Sequence, residues 1–525
     1  MSPAMTPARS RYDAVMIGGG HNGLVAAAML GKAGKSVLLL EGSDAIGGMA
    51  ASREFHPGFR TAIPHLLYQL HPAVSRALRL HRHGLRLAAA DLPTIAFRQE
   101  GGTLALGDSR GAGDAGADLL AFRQRLARFA RALAPALART PPRLRTRDLE
   151  SLATLGRLAL GVRWLGREEM RELLRVIGMN VADLVEENFA DPTIKAAIAL
   201  DAVIGNAMGP RSPNTVYTLL YRLAGKTGHR AGAIALPKGS MAAVAEAMAA
   251  AARAAGVEIL TGTSAARILV KDGRSAGVVL PDGGEIASDL VLSSADPRRT
   301  FLEILGPAAL DTNFVRRARS WRDRGTTGKL HLALNGLPAA LAGAPARYLL
   351  PGTLATLERA FDSLKYGDLP ERPPIEIAIP SLADPSAAPA GKHLLSAIVQ
   401  YVPYRLAEGD WSNRRTGFVE TLLGTLEAHI PGLRAQILAQ EFLTPADIER
   451  MTGASGGHWH HGEIALDQVW MLRPQPGMAR YATPVPGLYL CGAGAHPGGG
   501  ITGLAGYNAA RQAIADGRTK ERSRP

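Results

Sequence analysis

Apolar positions in the first fifty residues switch between short continuous runs and a periodic, small-residue stretch. Tyr12-Asp13-Ala14-Val15-Met16-Ile17 ends in an apolar run and Gly18 to Gly23 follow at once. Ala27, Leu30 and Gly34 keep a helical spacing before Val37-Leu38-Leu39-Leu40. Residues 12–50 therefore predict strand, glycine turn, helix, strand. Leu and Ala at helical spacing make residues 76–227 mostly helical. An alanine-rich helix is predicted from Met241 to Ala255, followed by strands at Val257–Leu260, Ala265–Val270 and Ala276–Leu280. Lys271-Asp272-Gly273 and Pro281-Asp282-Gly283 supply the turns between them. Residues 326–480 mix short strands and helices, with a Pro- and Ala-rich surface loop expected at Ala383–Lys392. Residues 485–515 run strand, glycine-rich turn, helix, with the helix ending near Ile514 and a basic, disordered tail from Arg518. Strands interleaved with helices predict an α/β fold without internal repeats.

Composition narrows the class. A chain of 525 residues is too long for one ordinary domain, so two or three are expected. With 46% hydrophobic and 20% charged residues it is not a disordered chain. No apolar run approaches the roughly 18 residues of a transmembrane helix, and Met1–Arg11 lacks the apolar core of a secretory signal. Cys491 stands alone, which excludes an internal disulfide, a Cys₄ zinc site and a CxxC redox pair and predicts a reducing, cytoplasmic setting. The net charge of +14 comes mostly from arginine and is explained by codon bias. An acidic membrane surface is the sharper alternative. Nucleic acid is excluded as a partner, because there is no recognition motif, no tight basic block and only 5% aromatics.

The glycine turn carries the first chemistry. Gly18 permits the tight turn, Gly20 lets backbone approach a pyrophosphate, and Gly23 with Ala27 lets the helix sit close to the sheet. The helix N-terminus offers free N–H groups and partial positive charge to phosphates. Glu41, ending the second strand, can accept from ribose hydroxyls and would repel a 2′-phosphate. The same spelling recurs at Gly111-Ala112-Gly113-Asp114-Ala115-Gly116. It follows Asp108 and Arg110 rather than a buried strand, and so reads as a flexible loop. Gly47-Gly48 lie just beyond Glu41. Near the C-terminus, Leu488-Tyr489-Leu490-Cys491 lead into a glycine block with Gly492, Gly494, Gly499 and Gly500, where backbone can meet a flat or anionic ligand.

The segments YDAVMIGGGHNGLVAAAMLGKAGKSVLLLEGSDAIGG and PGLYLCGAGAHPGGGITGLAGYNAA together resemble the phytoene desaturase (carotenoid desaturase) family of flavoproteins. HNGL after the glycines, and Gly456-Gly457-His458-Trp459-His460-His461-Gly462-Glu463 with Leu466-Asp467-Gln468, resemble its subgroup named after pyridine nucleotide-disulfide oxidoreductase domain-containing protein 2. The resemblance implies FAD in the Gly18–Glu41 site, with Gly47, Gly48 and the C-terminal glycines on its flavin side. It implies a discontinuous Rossmann-type FAD domain (10–75, 230–298 and 481–518), a largely helical substrate domain with a lid (76–229 and 299–480), and a disordered tail at 519–525. It also implies hydride removal from an apolar, isoprenoid or polyene substrate with loss of a neighbouring proton, forming a C=C bond. No second Rossmann unit is visible, so oxygen or a quinone is the expected electron acceptor. Two alternatives stay open: an amine oxidase-like flavoenzyme acting on a small natural product, and a non-catalytic FAD-binding interaction protein.

Among the side chains, His458, His460, His461 and Glu463 form the densest polar cluster. No fourth ligand is set by spacing, so no metal is expected. His461 and His496 are the candidate catalytic residues, His461 as an acid or base near neutral pH. His65 is a further candidate for the substrate tunnel, and Trp459 and Trp470 could line an apolar pocket. Leu119, Phe122, Leu126, Phe129 and Leu133 form an apolar stripe with Arg123, Arg125, Arg128, Arg131 and Arg139 among them. That pattern fits either a core-facing helix with a solvated basic face or a peripheral membrane helix that gathers a lipid substrate.

Overall fold

A computed structural model describes residues 7–106, 114–143, 148–225, 227 and 232–522. The first predicted unit folds as strand Ala14–Ile17, helix His21–Lys32 and strand Val37–Leu40. Both strands are buried along their whole length, as continuous apolar runs in a two-sided parallel sheet must be. Three further strands complete a five-stranded parallel sheet in the order Leu488–Leu490, Val291–Ser293, Ala14–Ile17, Val37–Leu40, Glu258–Leu260. Val15 pairs with Val291, and Val291 in turn with Leu488, so segments from both ends of the chain share one register. Helices Ala242–Ala254 and Leu504–Arg522 pack against His21–Lys32. The fold is α/β, with a Rossmann-type domain built on this sheet.

A second, seven-stranded sheet runs Ile437–Leu443, Thr327–Leu334, His393–Gln400, Ile375–Ala378, Arg347–Leu350, Thr94–Phe97, Thr103–Leu106. One side of this region carries the helices Asp114–Ala138, Pro192–Val203 and Thr215–Leu223, which share a single apolar core with Leu349 and Ile398 of the sheet.

Several expectations change. Residues 76–227 are not helical throughout: Leu87–Ala89, Thr94–Phe97 and Thr103–Leu106 are strands. Thr94–Phe97 pairs in parallel with Arg347–Leu350, a partner more than two hundred residues away that local periodicity cannot reveal. The Ala383–Lys392 loop is not wholly at the surface, because Ala387 and Ala388 pack with Phe59 and Leu394. The last helix starts at Leu504 and runs to Arg522, past the position where a disordered tail was expected; residues 523–525 lie outside the described residues. So does Gly111-Ala112-Gly113 of the second glycine match.

The basic, amphipathic stripe is settled by packing. Leu119, Phe122, Leu126 and Phe129 are buried, and Leu133 packs on the same core. Arg123 donates to the Leu106 carbonyl at 2.8 Å, while Arg125 and Arg128 pair with Glu169. This apolar face is therefore core, not a membrane-facing surface. Exposed apolar side chains gather instead on and just after the next helix, Leu149–Arg163, at Leu149, Leu152, Leu160 and Trp164. Among the described residues no helix is long and apolar enough to cross a membrane. Leu126→Ala should lower unfolding stability by about 2–5 kcal/mol, whereas Arg131→Ala on the exposed face should change it by less than about 0.5 kcal/mol. Thermal and denaturant unfolding check the pair, and equal effects would mean that the stripe is not core.

Candidate functional site

The turn between the first strand and helix is held by its neighbours. Gly18 adopts φ 90°, and a Cβ there would sit 2.5 Å from Ser294 Oγ. A Cβ at Gly23 would lie 2.1 Å from the Gly18 carbonyl oxygen, so helix and turn touch only because the residue is glycine. Gly20 differs. It precedes the helix without a side-chain cap, and a Cβ there would meet nothing within 4 Å. The backbone at Gly20 thus fronts open cavity, and the uncapped helix N-terminus leaves N–H groups for an anion. Gly47 N donates to Gly19 O at 2.9 Å, which seats the second glycine pair beside the first turn. At the end of strand Val37–Leu40, Glu41 Oε2 accepts from Gly19 N at 2.7 Å and Oε1 accepts from Ser43 N at 2.9 Å. These bonds fix the carboxylate in the same cavity wall as Ser264 and Ala265. Uncapped helix, glycine cradle and oriented carboxylate together fit the pyrophosphate and ribose of a dinucleotide.

The cavity measures about 790 Å³ and continues to Gly492, Ala493, Gly500 and Ile501. Of the residues singled out from sequence, Gly18, Gly20, Glu41, Gly47, Gly48, Gly492, Gly500 and His461 line it, as do His65, Trp459 and His460. Gly23, Gly494 and Gly499 do not; they serve close packing. A Cβ at Gly494 would lie 2.3 Å from Pro297 Cδ, and one at Gly499 would lie 2.0 Å from His460 Nδ1. His496 is corrected more strongly. Its ring is buried beside the backbone of Ala136 and Leu137 at the end of helix Asp114–Ala138 and does not line the cavity. Burial pushes its pKa down to about 3. Trp470 also lies off the cavity wall.

The histidine segment is shaped by one arginine that periodicity did not reveal. Fully buried Arg473 donates to the carbonyls of Glu463 and Gln468 at 2.9 Å, His460 at 2.5 Å and Ala493 at 2.8 Å. His458 Nδ1 accepts from His460 N at 3.1 Å, so its Nε2–H faces Glu463 Oε1 at 3.2 Å. His458 and Glu463 therefore brace the loop rather than face the ligand. His461 takes a positive φ of 52°, fixed by its N–H on His458 O at 2.9 Å and by Trp321 Nε1 donating to its carbonyl at 3.0 Å. Burial pushes the His461 pKa down to about 4, against the pull of Asp296. The ring is thus neutral at pH 7, a proton acceptor rather than a poised donor. Its Nδ1 is enclosed without a hydrogen-bond partner, leaving Nε2 to meet the cavity. Among the described residues no group of three or more His, Cys, Asp or Glu is placed to hold a metal ion.

A charged cluster in the same cavity wall escaped the sequence except at His65. Lys329 Nζ lies 2.7 Å from His65 Nδ1, and His65 Nε2 lies 3.0 Å from Glu376 Oε1. Tyr68 Oη donates to Glu376 Oε1 at 2.7 Å. Arg347 Nε donates to Glu376 Oε2 at 2.7 Å, and the same guanidinium reaches Asp201 at 3.2 Å. Arg222 lies over the Tyr68 ring at 4.0 Å. Burial opposes ionisation of Glu376, yet Arg347 and the His65 hydrogen bond hold its pKa well below the usual range. Burial drives Lys329 well below the usual lysine range. The available signal was a lone charge inside an apolar strand: Lys329 in TGKLHLAL, Arg347 in RYLL and Glu376 in IEIA.

The chain matches the family described as flavin containing amine oxidoreductase over residues 23–514. It is 35% identical to mouse (Mus musculus) pyridine nucleotide-disulfide oxidoreductase domain-containing protein 2, covering 97% of this chain and 94% of that protein. It is 25% identical to a component of the limonene dehydrogenase of Castellaniella defragrans, covering 96% and 94%. It is 27% identical to a lycopene-forming phytoene desaturase of a Paracoccus species, covering 60% of each. Among solved structures it is similar to an oxidoreductase from Methanosarcina mazei, with TM-score 0.60, 19% identity and 96% and 99% of the two chains covered. A putrescine oxidase bound to putrescine gives TM-score 0.60 at 14% identity over 97% and 99%. The cofactor of the chain is FAD.

Purified protein should be yellow and release FAD rather than FMN, read by absorbance and chromatography of the heat-released flavin. Gly20→Val should place a branched side chain in the open cavity and abolish FAD retention while the fold survives. Gly23→Ala should lose both FAD and melting temperature, because its Cβ would meet the Gly18 carbonyl. Glu41→Ala, losing only ribose contacts, should weaken FAD binding less than Gly20→Val. A colourless wild-type protein that takes up no FAD would overturn the site.

Proposed function

The chain belongs to the flavin-containing amine oxidoreductase family, and from that premise we propose that it dehydrogenates an apolar, isoprenoid- or polyene-like substrate. The observation that carries this reading is the cavity beyond the glycine block. Ile63, Leu66, Ala202, Ile204, Ile398, Leu443, Trp459 and Ile464 supply its apolar wall. Such a wall takes up hydrocarbon by excluding water. The names of two relatives, limonene dehydrogenase and phytoene desaturase, support the same substrate class.

Bound FAD supplies the hydride acceptor. The chain's own residues do the rest. Gly492, Ala493, Gly500 and Ile501 form the wall that the apolar chamber adjoins. Gly494 approaches the His461 carbonyl, its Cβ position 3.4 Å from that oxygen, so the histidine sits against the glycine block. His461 Nε2, neutral at pH 7, takes the proton lost from the carbon next to the one that gives up hydride. One C–H pair leaves as hydride and the neighbouring C–H as proton, and the C=C bond forms between them. Oxygen or a quinone accepts the electrons in turn.

An amine substrate is served less well by this wall. An ammonium needs a carboxylate free to receive it, and both Asp201 and Glu376 are engaged by Arg347 and Arg222.

Anaerobic mixing with a substrate of this class should bleach the flavin, whereas a non-catalytic FAD-binding protein would stay yellow. His461→Ala should keep FAD content and melting temperature while slowing flavin reduction. The loss should be about 10²-fold, the low end for general base help, because a base with a pKa of about 4 is weak. Wild-type reduction at the mutant's rate would make His461 a bystander. His458→Ala should instead loosen the loop and lower the melting temperature, since His458 braces Glu463. The pH profile has a defined sign. The proton-accepting form of His461 is the neutral one, present above its pKa, so the rate should hold from pH 8 to 5 and fall only as pH approaches about 4. A fall centred near 6.5 would show an ordinary, solvated histidine in that role.

A further inference from the structure

The charged cluster in the cavity wall is not needed to hold a hydrocarbon. Arg222 and Arg347 bring two guanidinium groups to Asp201 and Glu376, the two carboxylates at its centre.

The two central arginines differ in how far they are used. Arg347 has a side chain only 2% exposed, and it bridges both carboxylates. Arg222 touches the same carboxylates at 3.3 and 3.4 Å, keeps 19% of its side chain exposed and lines the cavity. Of its five N–H donors one makes a hydrogen bond within this cluster. Its plane is fixed on the Tyr68 ring at 4.0 Å. An oriented guanidinium with spare donors thus opens into a chamber whose remaining wall is largely apolar.

Resting on the dehydrogenase reading above, we infer that the substrate carries an anionic, carboxylate-type head group on its apolar body, and that Arg222 docks it. Each alternative head group leaves a defect. A hydrocarbon displaces water and leaves the Arg222 N–H groups without acceptors. An ammonium brings further donors to a guanidinium that lacks acceptors. A carboxylate accepts two parallel N–H bonds from the guanidinium. Arg222 is then a specificity-determining residue, acting on binding rather than on the hydride or proton step.

Three probes with one twelve-carbon chain separate these cases: dodecanoate, dodecanol and dodecylamine. Binding to the FAD-loaded protein is read by calorimetry and by the shift of the flavin spectrum, with no turnover required. Dodecanoate should bind at least about tenfold more tightly than dodecanol, and dodecylamine should bind weakest. Arg222→Gln should erase the preference for dodecanoate over dodecanol while leaving dodecanol affinity and FAD content as they were. Arg222→Lys should keep part of it, having the charge without the fork. Equal binding of dodecanoate and dodecanol by the wild type overturns the inference, as does tightest binding of dodecylamine. A preference that survives both substitutions assigns the head group elsewhere and overturns the role of Arg222. Should Arg222→Gln lose FAD or unfold, the wild-type ranking and Arg222→Lys still decide. If the carboxylate preference holds but no isoprenoid acid bleaches the flavin, dehydrogenation fails and the head-group site stands.

Discussion

Arg473 joins two segments that would otherwise have no reason to keep a fixed distance. Its guanidinium is enclosed by carbonyl oxygens from His460, Glu463 and Gln468 on one side and Ala493 on the other. The first three belong to the histidine loop and its continuation, the last to the glycine block. A buried arginine is tolerated only when its donors are satisfied, and here backbone acceptors do that work. Burial lowers its pKa only to about 10, so it stays charged at neutral pH and keeps its full set of donors. Tyr221 Oη, donating to the Gly499 carbonyl at 2.6 Å, ties the same block to the helical side of the chamber. The orientation of His461 therefore depends on a residue that does not line the cavity.

The same logic of close contact assembles the dinucleotide cradle from distant parts of the chain. Ser294 Oγ donates to the carbonyls of Ile17 and Gly18 at 3.0 and 2.9 Å, and a Cβ at Gly492 would lie 2.2 Å from the Ser294 carbonyl oxygen. Three segments meet where three parallel strands end, which is where open α/β sheets bind ligands. Glycine at Gly18, Gly23 and Gly492 serves this convergence, whereas at Gly20 it leaves room for something that is not protein.

How much of this was legible in the sequence followed from how local the determinants are. The first strand, turn and helix, with Glu41 at the end of the next strand, occupy one short stretch, so spacing alone exposed them. The Leu119–Leu133 stripe was legible as amphipathic but not as core, because amphipathicity is the same whether the partner is protein or lipid; only the packed helices distinguish the two. His496 sits among glycines that do reach the cavity, and no local pattern marks that its ring turns toward the end of helix Asp114–Ala138. The charged cluster was hidden for a different reason. Lys329 and His65 are 264 positions apart, and Arg347 and Asp201 146, so no window of local pattern contains both members of a pair. A lone charge in an apolar strand shows that a partner must exist without showing which residue it is.

The cavity consequently holds two electrostatic environments. Around the glycine block, burial keeps His21 and His461 near a pKa of about 4, so both rings are neutral across the physiological range, and Arg473 remains charged up to about 10. None of these groups changes charge between about pH 5 and 9. On the other side, each of the carboxylates Asp201 and Glu376 is met by guanidinium from Arg222 and Arg347. Lys329 stands at the edge of that cluster, in hydrogen-bond contact with His65 rather than with a carboxylate. Burial holds its pKa well below the usual lysine range, and an anion bound at Arg222 would favour its protonation. Charge on such an anion and charge on Lys329 would in this way be linked through His65 and Glu376, while the neutral histidine side would be left unchanged.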